Sequence, residues 1–226
     1  VDAEVLKAAD LFPGGCITLH GLKAFEQNRI DEAIVDAASV ICSCGSELKD
    51  VFLSVIGGNQ ALLKKVDHVV YEDMMGLSAW VDGKRVLVGS RDLMMHHGIA
   101  TPSADYEAKF KKEDRQLLYL ANSGELTAMF ILSYHPADSM YRALRHLAKR
   151  QIGLIVKATD PNLNAKTIGE IYDYPAYCIK VLSSQLHEEY ERMTAERKTA
   201  PCRIAYTSDN AVPLLWSVRA AAKLKR

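Results

Sequence analysis

The sequence predicts an α/β protein in which a parallel-sheet domain is interrupted by an inserted α+β module. In the second half of the chain, strand-like runs alternate with helices of about ten residues, the pattern of right-handed βαβ units. The part of the chain before this alternation has the pattern of helices followed by β-hairpins. A lone first segment, 1–18, is available to supply one strand to the later sheet. We therefore predict an α/β domain from 1–26 and 116–226, with 27–115 inserted into it.

Two helices are predicted to open the inserted module. Apolar residues recur at positions i, i+3, i+4 and i+7 from Ile30 to Ile41, which makes one stripe on a helix. Asn28 is the expected N-cap of this helix. A second apolar stripe follows Ser46 and ends at Gly57-Gly58, because glycine readily adopts the left-handed C-cap conformation.

Hairpins follow these helices. Asp82-Gly83 separates 77–81 from 84–88, two runs rich in β-branched residues, and Asp-Gly favours a type I′ turn between strands. Ser90 is placed to cap a short helix. The polar stretch 101–115 is predicted to be a solvated helix or a linker.

The rest of the chain carries the alternation that predicts a parallel sheet. After a second hairpin around 122–124, the predicted helices are 138–150, 164–171, 184–197 and one from Ala211, and the predicted strands are 152–156, 176–181 and 203–206. Ligands of such sheets bind at the carboxyl ends of the strands. The polar residues found at these ends are Thr159-Asp160 and Thr207-Ser208-Asp209.

Composition narrows the classes of function. The 226 residues contain 28 Lys and Arg against 28 Asp and Glu, so no net positive charge is available to neutralise nucleic-acid phosphates, and we expect no nucleic-acid partner. No apolar run approaches the roughly 18 residues that span a bilayer. The five cysteines are scattered and odd in number, which indicates a reducing compartment rather than a disulfide framework.

Some polar pairs have both a functional and a structural interpretation. Cys42 and Cys44 suit a soft metal, but they also continue a helical pattern without a second pair. Adjacent helical residues point about 100° apart, so His96-His97 is favoured as an exposed helix end over a metal site. Thr159-Asp160 and Asp209-Asn210 either contact ligand or cap the helices that follow them.

Two stretches resemble a known family. Residues 76–94, G-L-S-A-W-V-D-G-K-R-V-L-V-G-S-R-D-L-M, are similar to a glycine turn, a hairpin and a V-L-V-G-(N/S)-x-x-L-(M/L) junction. Residues 147–153 and 158–160 are similar to L-x-x-x-G-I and T-G-D. Both patterns occur in the cytoplasmic catalytic region of P-type cation-transporting ATPases, especially the heavy-metal branch. The resemblance implies a haloacid-dehalogenase-like, Rossmann-type phosphorylation domain with an inserted nucleotide-binding domain.

The chain departs from this family where the phosphate-accepting aspartate is expected. Family members carry Asp-Lys-Thr-Gly-Thr, whose aspartate attacks the γ-phosphate of ATP. Aligned on the end of the first strand, Lys7 takes that position, and aligned on Gly15-Cys16-Ile17-Thr18, Phe12 takes it. Neither side chain forms an acyl phosphate. Asp10 is the nearby carboxylate and the candidate nucleophile of an active enzyme.

Other family motifs are reduced as well. The loop whose carboxylates hold Mg²⁺ in the family corresponds to 205–213, which keeps the single carboxylate Asp209. Ser183-Ser-Gln-Leu186 stands where a phosphate-neutralising lysine is expected. The expected His-Pro pair is absent from 45–50, and Met74 replaces one glycine two residues before Gly76.

These losses favour a P-type-ATPase-like region without autophosphorylation and with a structural, regulatory or ligand-sensing role. An active Mg²⁺-dependent ATPase or phosphatase, and a nucleotide-binding module without turnover, are the alternatives. The resemblance implies the following site residues: Asp10, Thr159 and Asp160 for catalysis, Glu72, Gly76 and Gly89 for nucleotide, and Asp160 with Asp209 for Mg²⁺.

The implied ligands are ATP or another nucleotide, with Mg²⁺. Family neighbours carry transmembrane helices on both sides of this region, so the chain is interpreted as a fragment of a longer membrane protein. Its basic end, Lys223-Leu-Lys-Arg226, suits a cytoplasmic membrane border. The expected location is the cytoplasmic side of that membrane, or the cytoplasm if the chain stands alone.

Overall fold

A computed structural model describes residues 2–25, 29–112, 114–195, 204–206 and 210–224. Backbone contacts divide the chain into two compact units. Unit 1 holds the described residues of 1–13, 135–158 and 163–226, and unit 2 holds those of 14–134 and 159–162. Within the described ranges, no helix is both long and apolar enough to cross a membrane.

The strands are β1 (Ala3–Lys7), β2 (Ile17–Ala24), β3 (Val66–Glu72), β4 (Gly76–Val81), β5 (Lys84–Gly89), β6 (Gln116–Asn122), β7 (Glu125–Tyr134), β8 (Gly153–Lys157), β9 (Ile179–Val181) and β10 (Ile204–Tyr206). The α-helices are α1 (Ala8–Leu11), α2 (Ile30–Ser43), α3 (Lys49–Val55), α4 (Arg91–His96), α5 (Ala104–Ala108), α6 (Asp138–Ala148), α7 (Ala165–Tyr172), α8 (Ser184–Ala195) and α9 (Ala211–Leu224). Short 3₁₀ turns cover Gln60–Leu62 and Ala176–Cys178.

Unit 1 contains a parallel sheet with the strand order β10-β1-β8-β9. The first strand, β1, pairs with β8 on one side and β10 on the other. The lone N-terminal segment therefore supplies a central strand, and the predicted α/β class with a parallel sheet is confirmed. Residues two apart on a strand share a face, so Glu4 and Leu6 lie on the same side of β1, and both are buried.

Unit 2 contains an antiparallel sheet with the order β2-β7-β6-β5-β4-β3. Its extent differs from the predicted insertion at 27–115, because β2 pairs with β7 and β6 pairs with β5. Strand pairing at this distance in sequence leaves no trace in composition or periodicity. The unit boundaries therefore lie near 14 and 134 rather than at 26 and 115.

Helices pack against this antiparallel sheet. The helix α2 lies against β3, β4, β5 and β6, and its buried residues include Ala37 and Ile41. The helix α4 lies against β5 and β6. One buried cluster comprises Leu87, Leu93, Met94, Ile99, Leu117, Tyr119, Ala121, Met129 and Ile131.

Local turn chemistry accounts for the hairpins. Asp82 and Gly83 have φ angles of 50° and 73°, and Ser123 and Gly124 have 55° and 87°. Positive φ at both central residues is the type I′ geometry that suits the twist of paired strands. Both predicted hairpins are therefore present, between β4 and β5 and between β6 and β7.

Three local predictions differ from the structure. The N-cap of α2 is Arg29, without a side-chain cap, and Asn28 lies outside the described residues. The polar stretch 101–115 is not simply solvated, because Glu107 of α5 is buried and accepts hydrogen bonds from Arg91 and Tyr119. The strand expected at 176–181 begins only at Ile179, after a 3₁₀ turn.

Candidate functional site

The end of β1 is where a phosphate-accepting carboxylate is expected. Lys7 is the last residue of the strand, and the single helical turn α1 follows it directly. The carboxylate of Asp10 turns back to this end, where its Oδ2 accepts a hydrogen bond of 3.1 Å from the Lys7 N–H. Burial raises the pKa of Asp10. Asp10 therefore satisfies one of the otherwise unpaired N–H groups at the start of a helix.

The alternative register puts Phe12, an aromatic residue, at the position of the phosphate-accepting aspartate. The Phe12 ring is 2% exposed and packs edge-on against Tyr172, with 5.6 Å between ring centroids. The Tyr172 hydroxyl in turn donates to the Leu11 carbonyl. Phe12 is therefore part of the core of unit 1.

Thr159 follows β8 and is held by the loop before α3. The Thr159 Oγ1 lies 2.7 Å from Ser46 Oγ and 3.2 Å from Glu47 Oε2, and its N–H donates to Glu47 Oε1 at 2.9 Å. The Asp160 N–H donates to the same Glu47 oxygen at 2.7 Å. Burial raises the pKa of the Glu47 carboxyl. One buried glutamate thus holds two successive backbone amides.

Asp160 is bound on both of its oxygens. Its Oδ2 accepts a hydrogen bond from the Tyr134 hydroxyl, and its Oδ1 accepts the Asn162 N–H at 2.9 Å. The Asn162 side-chain amide also donates to the Tyr134 oxygen at 3.3 Å. Burial, and then the negative charge of Glu47, raise the pKa of Asp160 to about 7. We call these residues, Ser46, Glu47, Tyr134, Thr159, Asp160 and Asn162, the acid network.

The acid network does not fit the Mg²⁺ site that the resemblance implies. Mg²⁺ binds through one or two carboxylates and keeps several waters. Asp160 is 2% exposed, and both of its oxygens already accept protein donors. Asp209, the second expected ligand, lies outside the described residues. Among the residues that are described, no group of three or more His, Cys, Asp or Glu is arranged to hold a metal ion.

The structural alternative, in which Thr159-Asp160 caps the next helix, is wrong. The N-cap of α7 is Asn164, whose Oδ1 accepts the Thr167 N–H at 3.0 Å. Asp160 instead closes a turn over Asn162, two residues on, which is an Asx turn.

Gly76 and Gly89 form one cross-strand pair at the end of the β4–β5 hairpin. A Cβ on Gly76 would lie 2.4 Å from the Val88 carbonyl oxygen, and a Cβ on Gly89 would lie 2.2 Å from that of Met75. The two backbones thus fill the space that side chains would need. Glycine at both positions therefore lets the two strands approach closely, and the assignment of this pair to nucleotide stays a prediction.

Glu72, at the end of β3, has a side-chain partner. Its two carboxylate oxygens lie 2.8 and 2.9 Å from His97 Nε2. His97 directly follows α4 and its side chain is 13% exposed, so the prediction of an exposed helix end is wrong for this histidine. The pair ties β3 to the end of α4 in unit 2.

Cys42 and Cys44 lie at the end of α2. Both are half-buried thiols, and the Cys44 Sγ lies 3.4 Å from the Ile41 carbonyl oxygen within the same helix. Burial raises the pKa of Cys42, which disfavours the thiolate that a soft metal needs.

Sequence reasoning missed Glu47 and Tyr134, the two residues that organise the acid network. In the sequence, Glu47 stands out only as part of a segment lacking His-Pro. Tyr134 reads as the last residue of an apolar strand, and nothing local marks its hydroxyl as a partner of Asp160. The one usable signal was an acidic residue, Glu47, just before a helix with several apolar positions.

Fold and site together define an α/β chain with one parallel and one antiparallel sheet and a buried acid network. No protein-family model and no curated protein match the chain. Several solved structures are similar to it. A zinc-transporting PIB-type ATPase is 14% identical with a TM-score of 0.44, covering 94% of this chain. Because the match takes in 34% of that structure, the chain spans about a third of its length.

Two shorter structures are also similar. The N-domain of HMA6, a copper-transporting P-type ATPase, is 16% identical with a TM-score of 0.43, and 53% of this chain covers all of that domain. The second is the catalytic domain of the CPx-ATPase CopB-B, in a structure that describes its conformational changes upon nucleotide binding. It is 13% identical with a TM-score of 0.49, and the match covers 93% of this chain and 73% of that one.

Proposed function

We propose that the chain is the cytoplasmic region of a P-type-ATPase-like membrane protein that does not autophosphorylate. In this proposal unit 1 corresponds to the haloacid-dehalogenase-like phosphorylation domain and unit 2 to the nucleotide domain. The role is structural, regulatory or ligand-sensing, on the cytoplasmic side of the membrane. Support comes from the two sequence stretches that resemble the family, 76–94 and 147–160, and from the state of the acidic residues.

One observation carries the proposal: Asp10 and Asp160, the two candidate carboxylates that the structure describes, already accept hydrogen bonds from the protein. At the end of β1 stands Lys7, and a lysine amine cannot form an acyl phosphate. Asp10 accepts the Lys7 N–H on its Oδ2, so one of its two oxygens already serves as a helix cap. Asp160 is buried and accepts a hydrogen bond on each oxygen, so a metal ion would compete with Tyr134 and Asn162 for this carboxylate.

The predicted nucleotide contacts are engaged in the same way. Gly76 and Gly89 are in backbone contact with each other, and Glu72 is paired with His97. A nucleotide that used Glu72 would have to compete with this charge-assisted interaction. The same features therefore favour the non-catalytic function over the nucleotide-binding module.

Incubation with γ-labelled ATP and Mg²⁺ tests the proposal. We expect no acid-stable, hydroxylamine-labile label on the chain, at any concentration of ATP that saturates active relatives. Label that is lost in Asp10→Asn but kept in Asp138→Asn, an exposed aspartate of α6, would overturn the proposal. Lys7→Asp is the informative gain-of-function variant, because it places a carboxylate at the end of β1.

Titration calorimetry with ATP and ADP separates binding from turnover. The proposal predicts no heat of binding that depends on Glu72. Heat that is lost in Glu72→Gln and kept in Glu125→Gln, an exposed glutamate of β7, would establish unit 2 as a nucleotide-binding module. Absence of label together with such heat would replace the proposed role by nucleotide binding without turnover.

A further inference from the structure

A groove in unit 1 is lined by basic side chains. His146 of α6, Lys149 and Arg150 just after it, and Arg219 and Lys223 of α9 surround a volume of about 230 Å³. We call it the basic groove. This volume is several times the roughly 30 Å³ that one water molecule takes in the liquid, so a group larger than water fits.

In the part of the chain that the structure describes, no carboxylate pairs with the charges of the basic groove. Within the described residues, none of its five side chains forms an ion pair with a carboxylate, and these cations face one another from two helices. Partial burial, and then the positive charges of Arg219, Lys149, Lys223 and Arg145, lower the pKa of His146. Over the whole chain, acidic and basic residues are equal in number, so this segregation is local.

Helix termini explain only part of this arrangement. Cations near a helix C-terminus are stabilised by the helix dipole, and both α6 and α9 end at the groove. Arg150 uses one such interaction, since its Nη1 donates to the Ala222 carbonyl at 2.6 Å. The dipole does not require two lysines, two arginines and a histidine to converge on one volume, because like charges at short range repel.

The arginines are held in place rather than extended into solvent. Arg150 is fixed by its bond to α9, and the Arg219 guanidinium lies 4.8 Å from the Trp216 ring centroid. The His146 ring lies 5.7 Å from the same indole. Guanidinium groups positioned in advance bind phosphate oxygens bidentately, and lysines add point charges. A phosphate group carries about −1.5 to −2 charge at neutral pH, which this set would balance.

We propose that the basic groove binds a phosphate group, carried either by a soluble phosphate compound or by an anionic lipid headgroup. The shared chemistry is a compact, multiply charged oxyanion contacted by Arg150, Arg219 and Lys149. This inference does not depend on the proposed loss of autophosphorylation, because it uses none of the residues of the acid network.

The test has two arms on the whole chain. In the first, inorganic pyrophosphate is titrated while Trp216 fluorescence is followed in a Trp80→Phe background, which leaves Trp216 as the only tryptophan. In the second, the chain is co-sedimented with phosphatidylcholine vesicles, with and without phosphatidic acid. Binding in the first arm alone identifies a soluble ligand, and binding in the second alone identifies a headgroup. Binding in both shows that the phosphate group suffices.

The variant pair decides whether the groove is responsible. The double variant Lys149→Gln/Arg219→Gln should weaken binding about a hundredfold, since each of the two charge-assisted contacts is worth about a tenfold factor. Lys180→Gln, an exposed lysine of β9 in the same unit, should leave binding unchanged. Circular dichroism checks that both variants fold. No binding in either arm, or equal loss in the double variant and in Lys180→Gln, would overturn the proposal.

Discussion

The hydroxyl of Tyr134, the last residue of β7, donates a hydrogen bond to the Oδ2 of Asp160. This bond gives an aspartate at the carboxyl end of a parallel strand a partner inside the protein. Such a strand end is where an α/β sheet binds ligands. Here Asp160 and Glu47 are instead part of a buried hydrogen-bond network. The Asp160 carboxylate accepts hydrogen bonds from protein groups and so stabilises the fold.

The first prediction concerns this bond. Tyr134→Phe removes a donor to a buried carboxylate, and unsatisfied buried groups of this kind cost about 2 kcal/mol. We expect the free energy of unfolding of unit 2 to fall by that amount, measured by urea titration with Trp80 fluorescence in a Trp216→Phe background. Tyr177→Phe is the control. The Tyr177 hydroxyl accepts a hydrogen bond from the Gln151 side chain at an exposed site, so its loss should change the free energy of unfolding by no more than about 0.5 kcal/mol. Equal effects would contradict the structural role of the acid network.

The second prediction concerns Glu4, whose two carboxylate oxygens are buried without a hydrogen-bond partner among the described residues. Burial raises the pKa of Glu4 from its ordinary value of 4.5 to about 7. The folded state therefore keeps a proton that the unfolded state has lost, so stability falls as pH rises from about 4.5 to about 7 and is level above that.

Glu4→Met replaces this acid by an apolar residue of similar volume. The stability advantage of the variant over the parent should be larger above pH 7 than near pH 4, by about 2 kcal/mol after allowance for screening. Trp216 fluorescence during urea unfolding at several pH values reports on unit 1. Glu188→Met, at an exposed position of α8, should show no such pH-dependent gain. A parent chain at least as stable as Glu4→Met at pH 8 would contradict the burial of an ionisable group here.

Local sequence patterns were enough to predict individual helices and hairpins. They did not predict which strands pair when those strands are far apart in the sequence. Asp82-Gly83 identified its hairpin because the turn type requires positive φ at two adjacent residues. The apolar stripe from Ile30 identified α2 because helical spacing is visible within a dozen residues. The pairing of β2 with β7 joins residues more than a hundred positions apart, and no local residue signals it.

The candidate site was predictable only as a list of residues. Thr159 and Asp160 were expected at a strand end, and they follow β8 after one residue, Ala158. Their function was not predictable from position, because it depends on Glu47 and Tyr134, which the fold brings from distant segments. The charge on Asp10 was visible in the sequence, but its use as the cap of α1 depends on a turn of four residues that lacks a periodic signal.

The third prediction concerns the glycine pair of the β4–β5 hairpin. Gly89→Ala would place a Cβ 2.2 Å from the Met75 carbonyl oxygen and 2.6 Å from Leu93 Cδ2, so either the backbone or the core must shift. We expect a loss of about 2 kcal/mol or more in unit 2, as for other overpacked positions. Gly21→Ala, in β2 of the same sheet, meets only Ile131 Cδ1 at 3.8 Å and should be neutral. Urea unfolding followed by Trp80 compares the two variants, and equal stability would show that Gly89 is not needed for close approach.

The last prediction concerns Asp36, a fully buried residue of α2. Its Oδ1 lies 2.7 Å from Lys64 Nζ and its Oδ2 accepts the Asn122 side-chain amide at 2.7 Å. This pairing raises the pKa of Lys64.

Lys64→Met leaves the buried carboxylate without its cation, and breaking such a pair from one side costs about 3 kcal/mol. Lys65→Met is the matched control, since Lys65 is 85% exposed and its ion pair with Asp67 lies at the surface, where such pairs are worth little. In urea titrations followed by Trp80, the midpoint should fall for Lys64→Met and stay within error for Lys65→Met. Equal midpoints would contradict a stabilising role for the Asp36–Lys64 pair.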